Sequence, residues 1–299
     1  MLMQMYVVAV LVVPMLLPSV AQAQVLDEAF VRSRAQLARD LKFPEQAKSL
    51  GVFSALEMAI YKPEGAGPFP ALLLMHTCGG LTQHIQEWTK RAMQRGYVVF
   101  VIDSLTQRGL KENCAPGTSA NPFRGEKDAF DALEHLKQFA FVDQQRIGLV
   151  GFSWGAFVGL LASSQEMSAA FAKGKRFGGI VAFYPYCTVR LSSGTLDFLR
   201  SDITTPLLLL LGDADPAPVD CVPKLETLKN QGAPVEWHVY PGATLPGAVV
   251  DAHLWRPDAA HSGMDQARHA AGICRLRATP GIRSMRSRTI DDRWRGIAV

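Results

Sequence analysis

The pentapeptide Gly151-Phe152-Ser153-Trp154-Gly155 sets one serine between two glycines in the order Gly-x-Ser-x-Gly. Small residues on both sides permit a strained strand-to-helix turn that lifts a serine hydroxyl above a sheet, where it can attack a carbonyl. Such a hydroxyl needs a base to take its proton and fixed donors to hold the developing oxyanion. The competing reading of these residues is a glycine-lined turn closed by a capping serine. The flanks favour the nucleophile, because residues 146–150 are strand-like and residues 156–162 are apolar and helix-like. One oxyanion donor follows directly: the backbone N–H of Trp154, at the start of that helix. The second is expected from His76-Thr77-Cys78-Gly79-Gly80, whose glycines allow close approach. There the Cys78 N–H is the first choice, with Thr77 as its near alternative. His76 reads either as a residue facing the substrate or as a hydrogen-bonded loop residue.

Five stretches are continuously apolar, as strands buried on both faces should be: residues 71–76, 97–103, 146–152, 178–184 and 206–212. Helical stripes lie between them, over residues 85–95, 126–139, 154–163 and 219–230, and residues 234–240 read as a last strand. This alternation predicts an α/β protein with a mostly parallel sheet and helices on both faces. Such sheets carry their chemistry at the carboxyl ends of the strands. Each strand here ends in something reactive or flexible: the 76–80 loop, Asp103-Ser104, the serine turn, Tyr184-Pro185 and Gly212-Asp213-Ala214-Asp215.

Taken in order, these pieces resemble the dienelactone hydrolase family of α/β-hydrolases. The matching segments are residues 76–81, Gly96-Tyr97-Val98-Val99, Asp103-Ser104 with Arg108-Gly109, residues 146–148 leading into the serine pentapeptide, residues 212–215, and Tyr240-Pro241-Gly242-Ala243-Thr244. The resemblance spans about residues 50–244. It implies an α/β-hydrolase fold and hydrolysis of a small ester or lactone through an acyl-enzyme, with no cofactor. The family nucleophile is commonly cysteine, with serine in many relatives, and Ser153 stands in its place. Asp215 takes the place of the acid that holds a histidine in the right tautomer and stabilises its cation, with Asp213 as runner-up. A turn or helix-capping aspartate is the plainer reading of both. Arg108 matches an arginine placed to meet a substrate carboxylate, against the simpler reading of an exposed loop arginine.

One position departs from the family pattern. After Thr244 the catalytic histidine is expected, and this chain has Leu245. Histidines remain downstream at 253, 261 and 269, of which His253 is nearest, and a loop can in principle return it to Ser153 at small entropic cost. Helical and strand periodicity lapse from residue 245, and no Lys follows Lys229. Residues 265–299 hold eight Arg against three Asp. These features suggest that residues 245–299 are translated out of frame, the competing explanation being a divergent lid or C-terminal arm. A chain lacking its base would be an impaired hydrolase or a non-catalytic binder of small molecules. The domain reading is a signal peptide over 1–23, a hydrolase domain over 24–244 and an atypical tail over 245–299.

The 299 residues, 48% apolar and 19% charged, have an ordinary globular composition. Residues 265–299 carry a net +5 and the rest of the chain nets −1, so no basic face for nucleic acid is expected. Residues 5–17 form an apolar run followed by Ala21-Gln22-Ala23, which reads as a secretory signal cleaved after Ala23 and predicts a secreted or periplasmic protein. The run is too short to span a bilayer, so no stable membrane span is expected after its removal. In an exported chain the five cysteines read first as disulfide partners. Cys78 and Cys114 each follow a predicted strand, as do Cys187 and Cys221, so pairs 78–114 and 187–221 can each meet at one edge of a sheet, leaving Cys274. Five reduced core thiols are the alternative. No Cys-x-x-Cys, His-Glu-x-x-His, P-loop or Gly-x-Gly-x-x-Gly pattern is present, and no metal is expected.

Overall fold

The structure is a computed structural model that describes residues 27–49, 56–114, 120–172, 175–191, 194–215 and 217–243. The expected signal over 1–23, Leu245, His253 with the two later histidines, Cys274 and the whole of 245–299 lie outside the described residues.

In chain order the strands are β1 (Ala47–Lys48), β2 (Ala59–Tyr61), β3 (Phe69–Met75), β4 (Val98–Ile102), β5 (Val142–Phe152), β6 (Gly179–Phe183), β7 (Thr188–Leu191), β8 (Gly194–Asp197), β9 (Leu207–Gly212) and β10 (Val235–Tyr240). The helices are α1 (Glu28–Ala35), α2 (Gln83–Gln94), α3 (Pro122–Leu136), α4 (Trp154–Ser163), α5 (Gln165–Ala172) and α6 (Ala217–Asn230). Eight strands form one sheet in the order β1-β2-β4-β3-β5-β6-β9-β10, while β7 and β8 pair as a separate antiparallel hairpin. Every neighbouring pair in the large sheet is parallel except β2 with β4. This is the mostly parallel sheet that the alternation of elements predicts, in the α/β-hydrolase form that the resemblance implies.

Alternate residues of each central strand serve opposite faces, as the two-residue period of a strand requires. Leu73, Phe100, Leu149, Ile180 and Leu209 pack beneath α3, α4 and α6, whereas Leu72, Val99, Val150, Val181 and Leu208 belong to the face covered by α2 through Ile85, Trp88, Ala92 and Met93. With both faces buried, strands read as unbroken apolar runs, and for that reason periodicity located them. No helix among the described residues is long and apolar enough to cross a membrane.

The order of strands fixes where a site can form. From β3 the chain steps to β4 on one side, and β5 then pairs with β3 on the other. Between β3 and β5 the winding reverses, and a crevice opens at the carboxyl ends of such a pair. The 76–80 loop leaves β3 there, and Ser153 leaves β5 beside it.

Candidate active site

Ser153 follows β5 directly and adopts φ 51 and ψ −105, a region that side-chain-bearing residues rarely occupy. Holding a residue there costs on the order of 1–3 kcal/mol and requires neighbours that over-determine it. The neighbours are backbone. Ser153 N–H donates to Phe183 O at 3.0 Å, and Ser153 O accepts from Ala156 N–H at 2.9 Å and Phe157 N–H at 3.1 Å. Both flanking glycines are needed for close approach: a Cβ on Gly151 would lie 2.0 Å from Gly155 O, and one on Gly155 would lie 2.5 Å from Met75 O. Gly155 N–H in turn donates to His76 O at 3.0 Å, locking the first turn of α4 against the end of β3. Ser153 is therefore presented, half-buried, at the mouth of the β3/β5 crevice.

Trp154 opens α4, where the first N–H groups have no intrahelical acceptor. The facing turn is closed by Gly80 N–H donating to Thr77 O at 3.0 Å, with Gly80 at φ +81. A turn of this kind uses the first carbonyl and the fourth N–H, leaving the N–H of Cys78 outside its own closure. Cys78 is bonded to Cys114 (S–S 2.07 Å), and its carbonyl accepts from Asn113 N–H at 2.9 Å. The 77–80 turn is thus tied to the segment after β4. The second disulfide joins Cys187 to Cys221 (S–S 2.12 Å) and fastens α6 to the start of the β7–β8 hairpin.

His76 does not face a substrate. It is fully buried, its ring stacks on Trp154 with centroids 5.2 Å apart and planes 10° apart, and both nitrogens are engaged. Nδ1 lies 2.5 Å from Thr77 O, and Nε2 accepts from Ser104 N–H at 3.1 Å. A carbonyl can only accept and an amide N–H can only donate, so the partners force the neutral tautomer protonated at Nδ1. Burial lowers its pKa and keeps it uncharged. The hydrogen-bonded reading of this residue replaces the substrate-facing one.

Arg108 is corrected in the same way. Its side chain is 3% exposed. Nη1 donates to Asp128 Oδ2 and Ser104 O at 2.7 Å each, Nη2 to Asp128 Oδ1 at 2.8 Å and Arg39 O at 2.7 Å, and Nε to Arg39 O at 2.9 Å. A guanidinium has five N–H groups, and all five are engaged, leaving none for a substrate carboxylate. Sequence reasoning missed the partner, Asp128, which lies 20 residues downstream on α3. Asp128 also accepts from Arg124 Nη2 at 2.7 Å, and that i,i+4 pair is the sequence signal that could have exposed the network.

The two aspartates after β9 divide their roles. Asp213 is exposed, and its Oδ1 accepts from Gly242 N–H at 2.6 Å, pinning the 241–243 turn. Asp215 is half-buried one step further along. Ala214 N–H donates to Ala243 O at 3.1 Å, and a Cβ on Gly212 would lie 2.2 Å from that same oxygen. The chain therefore passes Ala243 immediately beside the turn that carries Asp215. His253, the base expected to complete the set, lies outside the described residues. Among the described residues, one group of possible metal ligands is close-set, Cys187, Asp220 and Cys221, but its two sulfurs are joined to each other and offer no thiolate.

The dienelactone hydrolase family model matches residues 56–246. A protein of Methylorubrum extorquens named "Putative carboxymethylenebutenolidase" is 24% identical over 239 residues, covering 76% of each chain. One of the same name from Yersinia pestis is 25% identical over 197 residues, covering 62% of this chain and 71% of its own. Esterase 2 of Thermogutta terrifontis, solved as its paraoxon-phosphorylated form, is 17% identical with a TM-score of 0.49, covering 69% of this chain and 82% of its own. The family match takes in more than half of the chain, from before β2 to beyond β10. The chain belongs to the dienelactone hydrolase family, hydrolases of carboxylic esters and lactones.

Proposed function

We propose that this chain hydrolyses small carboxylic esters or lactones through an acyl-enzyme on Ser153. The observation that carries the reading is the backbone of Ser153, held at φ 51 by glycines that admit no side chain. Ser153 Oγ attacks the carbonyl, the N–H groups of Trp154 and Cys78 receive the oxyanion, a histidine takes the proton and Asp215 orients it. Collapse of the tetrahedral intermediate breaks the ester C–O bond, the histidine gives its proton to the departing alcohol oxygen, and water then attacks the acyl-enzyme to release the acid and restore Ser153. A cavity of about 470 Å³ beside Gly79, Gly80 and Leu81 mixes apolar walls from Leu56, Leu105 and Leu110 with polar ones from Asp103, Thr106 and Lys111, room for a small substrate; Ser153 is not in its wall.

A specific observation supports a second reading. The chain leaves Ala243 beside the Asp215 turn, where the family histidine is expected, and Leu245 stands there in the sequence. Unless His253 returns as base, turnover falls to what the oxyanion donors and binding supply. Export to the periplasm or medium is supported by the apolar run at 5–17 and by the two disulfides. Hydrolysis of p-nitrophenyl acetate across pH, for wild type, Ser153→Ala and His253→Ala, tests both readings. Loss of activity in Ser153→Ala with an imidazole-like inflection removed by His253→Ala supports the full enzyme, and unchanged activity in Ser153→Ala overturns it.

A further inference from the structure

The Thr77 carbonyl and the Cys78 N–H are the two ends of one peptide unit, rigid because its C–N bond has partial double-bond character. Whatever fixes the carbonyl end fixes the direction of the N–H end. Two donors meet at that carbonyl: Gly80 N–H at 3.0 Å, which closes the turn, and the Nδ1–H of His76 at 2.5 Å. The imidazole is itself immobilised, with Nε2 on Ser104 N–H at 3.1 Å, one face on the Trp154 indole and no solvent exposure. Ser104 is held in turn by its own carbonyl, which accepts from Arg108 Nη1 at 2.7 Å.

We propose that His76 is a positioning residue for the oxyanion hole: its imidazole grips the Thr77–Cys78 peptide by the oxygen and so aims the Cys78 N–H at the developing charge. The same residue holds the other side of the hole. His76 O accepts from Gly155 N–H at 3.0 Å, and its ring lies against Trp154, whose N–H is the second donor. One buried histidine therefore sets the spacing between donors that come from β3 and α4. Hydrogen bonds accepted at one end of a peptide also polarise its other end, so Cys78 N–H becomes a stronger donor in a site of low dielectric. This inference rests on the proposed serine hydrolase reading and assigns His76 no contact with substrate.

The two amide replacements separate positioning from packing. An asparagine at 76 places a donor near the position of Nδ1, whereas a glutamine places its amide near Nε2, keeping the contact with Ser104 and losing the grip on Thr77. The oxyanion contact exists only in the transition state, so its loss lowers kcat while KM holds. With p-nitrophenyl acetate, His76→Gln is expected to lose about tenfold or more in kcat, within the range known for oxyanion donors, while His76→Asn stays within about threefold of wild type. KM stays within about twofold in both. Equal losses in the two variants, losses that follow their urea midpoints, or a change in KM alone would each overturn the proposal. Long-range 1H–15N spectra of the wild type provide a check that needs no variant: an Nδ1–H tautomer is expected, and an Nε2–H tautomer overturns the proposal. If the wild type neither turns over ester nor acylates at Ser153, the hydrolase reading fails and takes this inference with it. An active wild type with indistinguishable His76 variants removes the inference alone.

Discussion

Arg108 and Asp128 face each other through two parallel N–H···O bonds of 2.7 and 2.8 Å, with side chains 3% and 0% exposed. The pair joins the turn after β4 to α3, and the remaining N–H groups of Arg108 extend the junction to Arg39 O and Ser104 O. Removing Arg108 takes two charge-assisted bonds from the buried Asp128, which keeps Arg124 as its partner, and frees the carbonyls of Arg39 and Ser104; the cost therefore lies below the roughly 3–5 kcal/mol of a fully stranded buried charge. Arg108→Ala is therefore expected to lower the urea midpoint. A neutral ester and one bearing a free carboxylate should keep the ratio of kcat/KM that the folded wild type gives. A selective loss for the carboxylate substrate would restore the substrate-binding role.

The division between Asp213 and Asp215 predicts different phenotypes. Asp215→Asn removes the group proposed to orient the base and is expected to lower kcat by about 10³-fold or more with little change in fold. Asp213→Asn keeps an oxygen able to accept from Gly242 N–H and is expected to stay within about threefold of wild type. Steady-state kinetics on both variants, with circular dichroism as the control for folding, check this assignment. The reverse pattern would make Asp213 the acid.

The Cys78–Cys114 bond closes a loop with a sequence separation of 36, and it ties down the turn proposed to hold the oxyanion. On the chain-entropy account, closing a loop of that length stabilises by about 3–4 kcal/mol. The double variant Cys78→Ser with Cys114→Ser should lose stability of that order and lose kcat beyond it, because the turn then loses its covalent tie and is held by hydrogen bonds alone. Chemical denaturation and ester kinetics measure the two effects separately. Loss of stability with unchanged kcat would show that the bond does not position the turn.

Glu126 is fully buried in α3, and neither carboxylate oxygen has a hydrogen-bond partner among the described residues. Burial raises its pKa well above the usual carboxylate range, so the folded chain holds this proton while the unfolded chain releases it. The folded state then binds more protons than the unfolded one, and stability falls as pH rises from the unfolded carboxylate value towards the folded one. A glutamine does not titrate. The advantage of Glu126→Gln over wild type in urea is expected to grow between about pH 5 and about pH 8. A difference independent of pH would mean that Glu126 is ionised in the folded chain.

The central strands were legible because burial on both faces leaves only apolar residues in them, as in Leu207–Gly212, where all six residues are buried. The β1–β2 edge of the sheet was not legible, whereas the β10 edge was. β1 and β2 have two and three residues, too few to show a period, and α1 buries only Val31 and Ala35. In α5 the buried face is Met167, Ser168, Ala170 and Ala172, of which all but Met167 are small residues with little contrast against their neighbours. The site divides in the same way. The serine turn declares itself through local glycines, because the strain and its relief lie within five residues. The occupation of Arg108 depends on Asp128 and on the carbonyls of Ser104 and Arg39, groups brought together only by folding. His76 is the intermediate case. Its neighbourhood was legible from the loop that contains it, but its burial follows from Ser104 and Trp154 closing over the ring.

The most direct test of a reactive serine at the β3/β5 crevice is intact-mass analysis and peptide mapping after exposure of the full chain to an organophosphonate ester. Attachment of one phosphonyl group per chain at Ser153, absent in Ser153→Ala, is the predicted result. No adduct on the folded chain, or an adduct that persists in Ser153→Ala, would contradict the account.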